Sequence, residues 1–228
     1  MKIAIIPARG GSKRIPRKNI KSFNGKPMIS WPILAAVESN LFDEIIVSTD
    51  DEEIANVAMQ YGASAPFIRP KEISGDLTTT AEVMSHAVNW MYESDYEIDT
   101  VCCIYATAPF IQISDLKNSL KIFDSNSWEF VFTATGFQSS IFRGFKTTKD
   151  DGVEMLYPEF FDSRSQDLPS VYHDAAQFYW GKPLAWLEQK KIFANHSIAY
   201  IIPNYRVQDI DTTDDWRRAE LIAASLQV

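Results

Sequence analysis

The chain has 228 residues, enough for one large α/β domain with a sizeable core. A formal net charge of −8 argues against a nucleic-acid partner, which needs a basic face, and the two cysteines, adjacent at Cys102 and Cys103, make neither a disulfide framework nor a zinc pattern. No apolar run approaches the ~18 residues that span a membrane, and Lys2 is followed by only four apolar residues before Pro7, so a soluble, cytoplasmic protein without a signal peptide is expected.

The chain begins with a short apolar run, Ile3-Ala4-Ile5-Ile6, which predicts a buried parallel strand. A basic loop follows at once: Pro7-Ala8-Arg9-Gly10-Gly11-Ser12-Lys13-Arg14-Ile15-Pro16-Arg17-Lys18-Asn19. The carboxyl end of a strand in an open α/β sheet is where ligands bind. Glycines let a backbone approach a ligand, and Arg9, Lys13, Arg14, Arg17 and Lys18 suit a polyphosphate. Neither common phosphate motif is present. The Gly-Lys pairs, Gly25-Lys26 and Gly181-Lys182, are each followed by proline, and the nine glycines never take the dinucleotide spacing. A solvated basic turn is the plainer alternative, but the position after the first strand favours a third kind of phosphate loop.

Strand and helix signals then alternate. Residues 43–49 read as a second strand, and Asp50-Asp51-Glu52-Glu53 opens a helix with acids where the helix dipole favours them. A short strand is expected at 65–68, a helix at 79–92, a strand at 100–105, a helix capped by Ser114, and a strand at 130–135. This pattern implies βαβ units and a largely parallel sheet flanked by helices. It breaks over residues 136–170, a stretch too long for a plain connection, which reads as an insertion. Strands resume at 176–180 and 197–202, and a last helix is expected over 213–226. The whole chain is read as a single domain.

Four further groups of residues bear chemistry. In an extended Asp209-Ile210-Asp211 both carboxylates share one face, which suits Mg²⁺; equally, Asp211 or Thr212 could cap the last helix. Arg69 with Thr78, Thr79 and Thr80 reads, from the residues alone, as a strand-ending Arg and an N-cap cluster for the next helix. Tyr105-Ala106-Thr107-Ala108-Pro109 follows a buried strand, as a ligand loop or a proline turn. His173, Asp174 and Gln177 stand at a later strand; His173 could instead cap a turn. Three scattered histidines without ligand spacing argue against zinc.

Pro7-Ala8-Arg9-Gly10-Gly11-Ser12-Lys13 followed by Lys18-Asn19 resembles the signature of the CMP-sugar synthetases, cytidylyltransferases that activate eight- and nine-carbon keto sugar acids. The run to Ile20 is most similar to the branch acting on pseudaminic acid, and the resemblance extends to about Leu221. It implies a Rossmann-like nucleotidyltransferase fold, transfer of a cytidylyl group from CTP, Mg²⁺ as cofactor and a homodimer built through the insertion. It further implies that Ala8, Arg9, Gly10, Gly11, Ser12, Lys13, Asn19, Arg69 and Thr78 to Thr80 hold the nucleotide. Arg9, Lys13, Lys18 and Asp211 would then carry catalysis, with Asp209 and Asp211 on the metal. Tyr105, Thr107, His173, Asp174 and Gln177 would face the sugar, joined by Arg164 and Gln166 from the insertion.

Two departures from the sialic acid members stand out. Tyr105 replaces a Gln, and Ile111 stands where an Arg is expected. Fewer polar groups suit a sugar acid with fewer hydroxyls, and hence pseudaminic acid over N-acetylneuraminate; legionaminate is the other enzymatic alternative. A nucleotide-binding module that has lost its chemistry is the alternative of another class, and the intact Lys13, Lys18, Asp209 and Asp211 speak against it.

Overall fold

The computed structural model describes residues 1–125 and 127–226. The chain lays down β1 (Lys2–Pro7), the two-residue strands β2 (Ser22–Phe23) and β3 (Lys26–Pro27), α1 (Ser30–Ser39), β4 (Glu44–Ser48), α2 (Glu52–Gln60) and α3 (Thr80–Glu93). There follow β5 (Thr100–Ile104), α4 (Ile113–Ser125), β6 (Phe130–Gly136), β7 (Phe145–Thr147) and β8 (Val153–Met155). The chain then forms β9 (Tyr172–Gly181), α5 (Pro183–Leu187), β10 (Ser197–Ile201) and α6 (Thr213–Leu226). No helix among the described residues is long and apolar enough to cross a membrane.

Six strands form one sheet in the order β10-β6-β9-β5-β1-β4, parallel except for β9, which runs against both its neighbours. From β1 the chain moves outward to β4 and then returns to the other side of β1 as β5. The loops leaving β1 and β5 therefore diverge and open a crevice at the carboxyl ends of these strands. β1 and β5 are buried on both faces, as their unbroken apolar runs require. Cys102 and Cys103 are free and fully buried there, each facing one of two apolar layers. A third, smaller core lies beneath the crevice, where Ile15, Phe23 and Phe110 meet Ile210 and Trp216. It ties the basic loop to the segment before α6.

Several expectations needed correction. No strand forms at 65–68; the segment makes only single bridges, Ser64 to Ile46 and Ile68 to Thr49. Ser114 does not cap α4 but lies inside it, because the helix starts at Ile113 and Gln112 O accepts the first N–H groups. β9 is twice the expected length and antiparallel, with a register shift opposite Phe132/Ala134 and Ala176 at φ 49°. α1, α5 and the β2–β3 hairpin had no clear sequence signal: Pro32 sits in the first turn of α1, and α5 and the hairpin are very short. The excursion between β6 and β9 holds the β7–β8 hairpin and short 3₁₀ turns.

Candidate active site

The crevice is a cleft of about 230 Å³. Arg9, Ser12, Lys13, Arg14, Lys18 and Asn19 reach it from the loop after β1, Tyr105 and Thr107 from the loop after β5. Arg69, Thr78, Thr79 and Thr80 form another wall, and Asp211 closes the far side. A second groove of about 510 Å³ shares Asp211 and is lined by His173, Asp174, Gln208, Asp209 and Asp215 among others.

The basic loop is held by side chains more than by glycine geometry. Neither Gly10 nor Gly11 has a positive φ. Gly10 is required because a Cβ there would meet Asp51 Oδ2 at 2.6 Å, whereas Gly11 faces open space. Gly10 N–H donates to Asp50 Oδ1 (2.9 Å) and Ser12 N–H to Gly10 O (2.9 Å). These two amides are thus spent inside the protein. Ala8 is buried and bonds Ser48 O, and Asn19 Nδ2 donates to Arg9 O (2.9 Å), pinning the loop.

Four of the five cations face the cleft. Arg9 Nη1 and Lys13 Nζ both contact Asp76, at 2.6 and 2.5 Å. Those two cations, Lys13 foremost, hold the Asp76 carboxyl below its ordinary range. Lys18 Nζ donates to Ile210 O (2.5 Å) and lies 3.3 Å from Asp211 Oδ1, while Arg14 reaches Asp211 Oδ2 at 2.9 Å. Arg17 points away: at φ 56° it turns its guanidinium to Asp51 and Glu53. Asp51 also caps α2 by accepting from Ile54 N–H (3.0 Å).

Arg69 is 4% exposed, with Nη2 3.9 Å from Asp50 Oδ1 and Nε buried without a partner. A buried unpaired donor on a cleft wall is costly unless a ligand satisfies it. Thr79 is the N-cap of α3 in a capping box with Glu82, so its side chain is committed to the helix. Thr80 Oγ1 instead lies 3.1 Å from Tyr105 Oη. Burial lifts the Tyr105 hydroxyl to a pKa of about 12.

Thr212, not Asp211, caps α6: Thr212 Oγ1 accepts Asp215 N–H (3.2 Å) and Asp215 Oδ2 accepts Thr212 N–H (2.8 Å). Ile210 is fully buried between Asp209 and Asp211, both of which line the groove. Crowding by neighbouring atoms, and next the charge of Asp211, raise the Asp209 carboxyl above its usual range. Asp209 and Asp211 offer two hard oxygen donors, the kind Mg²⁺ takes together with water and substrate phosphates. Among the described residues no cluster of three or more His, Cys, Asp or Glu could hold a metal unaided.

The sugar-side expectations divide. Thr107, His173 and Asp174 line the clefts. Gln177 does not: it is 3% exposed, its Nε2 donates to Arg206 O (3.0 Å), and the strand buries it in the sheet. Arg164 and Gln166 lie exposed in the excursion and line neither cleft of the single chain. Sequence reading passed over Asp76 and Asp50, whose loop and strand-end positions carry no motif, and Tyr179, which reads only as core.

A mostly parallel sheet with a polar cleft at its switch point is the architecture of the nucleotidyltransferases. CMP:2-keto-3-deoxy-manno-octonic acid synthetase, solved in complex with CTP, superposes with a TM-score of 0.72 at 16% identity, over 99% of both chains. 4-Diphosphocytidyl-2C-methyl-D-erythritol synthase of Anaerococcus prevotii gives 0.66 at 16% identity, over 100% of this chain and 98% of that one. The cytidylyltransferase family model matches residues 3–202, and the chain belongs to that family. It is 46% identical to a pseudaminic acid cytidylyltransferase of Campylobacter jejuni, over 96% of this chain and 95% of that protein. It is 29% identical to a CMP-N,N'-diacetyllegionaminic acid synthase of Legionella pneumophila, over 96% and 94%.

Proposed function

We propose that this chain couples CTP to pseudaminic acid, giving the CMP-sugar and pyrophosphate. The observation that carries the reading is the near full-length similarity to the Campylobacter enzyme, joined to a cleft that concentrates five cations in a chain of net charge −8. The anomeric hydroxyl of the acid attacks the α-phosphorus, the bond to the bridging oxygen breaks, and pyrophosphate leaves. Arg9, Lys13 and Lys18 neutralise the triphosphate, with Lys13 and Lys18 toward the leaving group. Ser12 and Asn19 orient phosphates and ribose, and Arg69 with Thr78 and Thr80 holds the base. His173 and Asp174 hold the sugar acid in the adjoining groove. Such a site works by positioning and by charges set in advance. Asp209 and Asp211 would hold Mg²⁺, which supplies charge neutralisation and a more acidic attacking hydroxyl when bound.

The reading extends to a cytoplasmic homodimer formed through the excursion, which would bring Arg164 and Gln166 to the partner's groove. Phe145, Val153 and Phe161 are 62%, 68% and 66% exposed on it, an apolar surface that a second copy would cover.

The test is pyrophosphate release from CTP and Mg²⁺ with pseudaminate, N-acetylneuraminate and legionaminate in turn. Turnover chiefly with pseudaminate is expected. Turnover with another acid would keep the reaction and overturn the sugar; silence with every acid would overturn the enzyme.

A further inference from the structure

A buried ion pair lies outside both clefts. Arg206 and Asp115 are 8% and 5% exposed, and Arg206 Nη1 donates to Asp115 Oδ2 at 2.5 Å. Neither residue lines the cleft or the groove. Asp115 stands in the first turn of α4, where the helix dipole favours an acid. Its other oxygen accepts from Tyr200 Oη on β10 (3.2 Å). Arg206 is held at its backbone as well, where its carbonyl accepts from Gln177 Nε2 on β9 (3.0 Å). Side chains from α4 and β9 thus grip one residue, and β10 braces the first of them.

That residue lies in the connection between β10 and α6, three positions before Asp209. The connection is held again further on. Ile210 is fully buried in the small core beneath the crevice, and its carbonyl accepts from Lys18 Nζ. Asp215 Oδ2, part of the α6 cap, accepts from Asp211 N–H (3.2 Å). Asp211 is therefore fixed from its carboxyl-terminal side, whereas Arg206 is the anchor on the side of Asp209. Desolvation offsets most of the attraction between two buried charges, and an apolar pair of similar volume would hold α4 as firmly. What a guanidinium fork adds is a fixed direction.

We infer that Arg206 and Asp115 are positioning residues that set where Asp209 stands relative to Asp211, and so the spacing of the two carboxylates toward a divalent cation. The inference rests on the proposed metal role of Asp209 and Asp211.

The experiment titrates the full chain, without nucleotide, with Mn²⁺ followed by electron paramagnetic resonance, alongside thermal melts. The variants are Arg206→Met with Asp115→Leu, Arg206→Lys, and Asp211→Ala. Removing both charges together leaves neither buried alone, so the double variant should melt within about 3 °C of wild type. Its Mn²⁺ affinity should nevertheless fall roughly tenfold or more, the usual loss when the support of a metal ligand is removed. Its kcat for pyrophosphate release should fall with it, while the KM for CTP changes less than about twofold, since the cations of the loop after β1 are untouched. Arg206→Lys keeps the charge and loses the fork, and keeps the test open if the double variant does not fold: Mn²⁺ affinity should fall here too. Wild-type Mn²⁺ affinity in a folded variant would make the pair structural only and overturn the inference, leaving the metal role intact. A wild type that binds no Mn²⁺, or whose binding survives Asp211→Ala, overturns that metal role and the inference with it; pyrophosphate release then still decides the coupling of CTP on its own.

Discussion

Asp51 shows how much one side chain can carry. It caps α2, accepts two hydrogen bonds from Arg17, and sits against Gly10. The Arg17 hydrogen bond is the main reason its carboxyl titrates below the ordinary Asp range. A carboxyl depressed on folding stabilises above its unfolded pKa, and that contribution is lost as pH falls through the folded value. Asp51→Asn retains a capping oxygen, removes the charge and replaces one of the two oxygens that accept from Arg17 with a donor. We expect the variant to melt about 1–4 °C below wild type at pH 7, the range for one partly exposed ion pair, with the gap closing at acid pH, below the ordinary Asp range. Thermal melts at the two pH values check this; an equal gap at both would place the effect in packing.

At the scale of elements, the loop after β1 is where sequence and structure can be compared most closely. Its position, its cations and the alternation about Ile210 were legible, because strand ends and period-two patterning are local properties. The pairing of those cations was not. Asp76 meets Arg9 and Lys13 across more than sixty residues of sequence, and nothing in the Gly75-Asp76-Leu77 segment announces it. The glycine pair was legible as a pair but not in its reason, since only Gly10 is hemmed in, and by a side chain from α2's cap. We therefore expect Gly10→Ala to lower stability by about 1–3 kcal/mol in chemical denaturation and Gly11→Ala to leave it within about 0.5. Asp76 sits between Arg9 and Lys13, two of the cations proposed to take the triphosphate. Asp76→Asn should release them and lower the KM for CTP about two- to fivefold, the strength of exposed ion pairs; a raised KM would show that Asp76 orders the loop instead.

For the whole molecule, the parallel run β4-β1-β5 followed from strand and helix alternation, whereas the reversal of β9 did not. A strand's direction is settled by where its connection leads, and the 137–171 excursion gives no periodic clue. Gln177 was misplaced for the same reason: the bulge and Ala176 at φ 49° decide which residues of β9 turn inward. If the excursion carries the partner contact, Phe145→Asp with Val153→Asp should convert a dimer to a monomer in sedimentation. It should also raise the KM for the sugar acid at least tenfold while that for CTP changes little. A monomeric wild type would reject the arrangement.

The reversal of β9 has one more consequence. Because the strand runs backward, the excursion leaves the sheet at Gly136 and re-enters at Tyr172, residues paired directly with each other. Departure and return share one socket on the ligand-facing rim. Whatever is plugged into that socket can lengthen, shrink or be exchanged without disturbing the strand order behind it. On the proposed function, the sheet and its cation loop would be a fixed chassis for the nucleotide, and the excursion an interchangeable fitting for the acceptor.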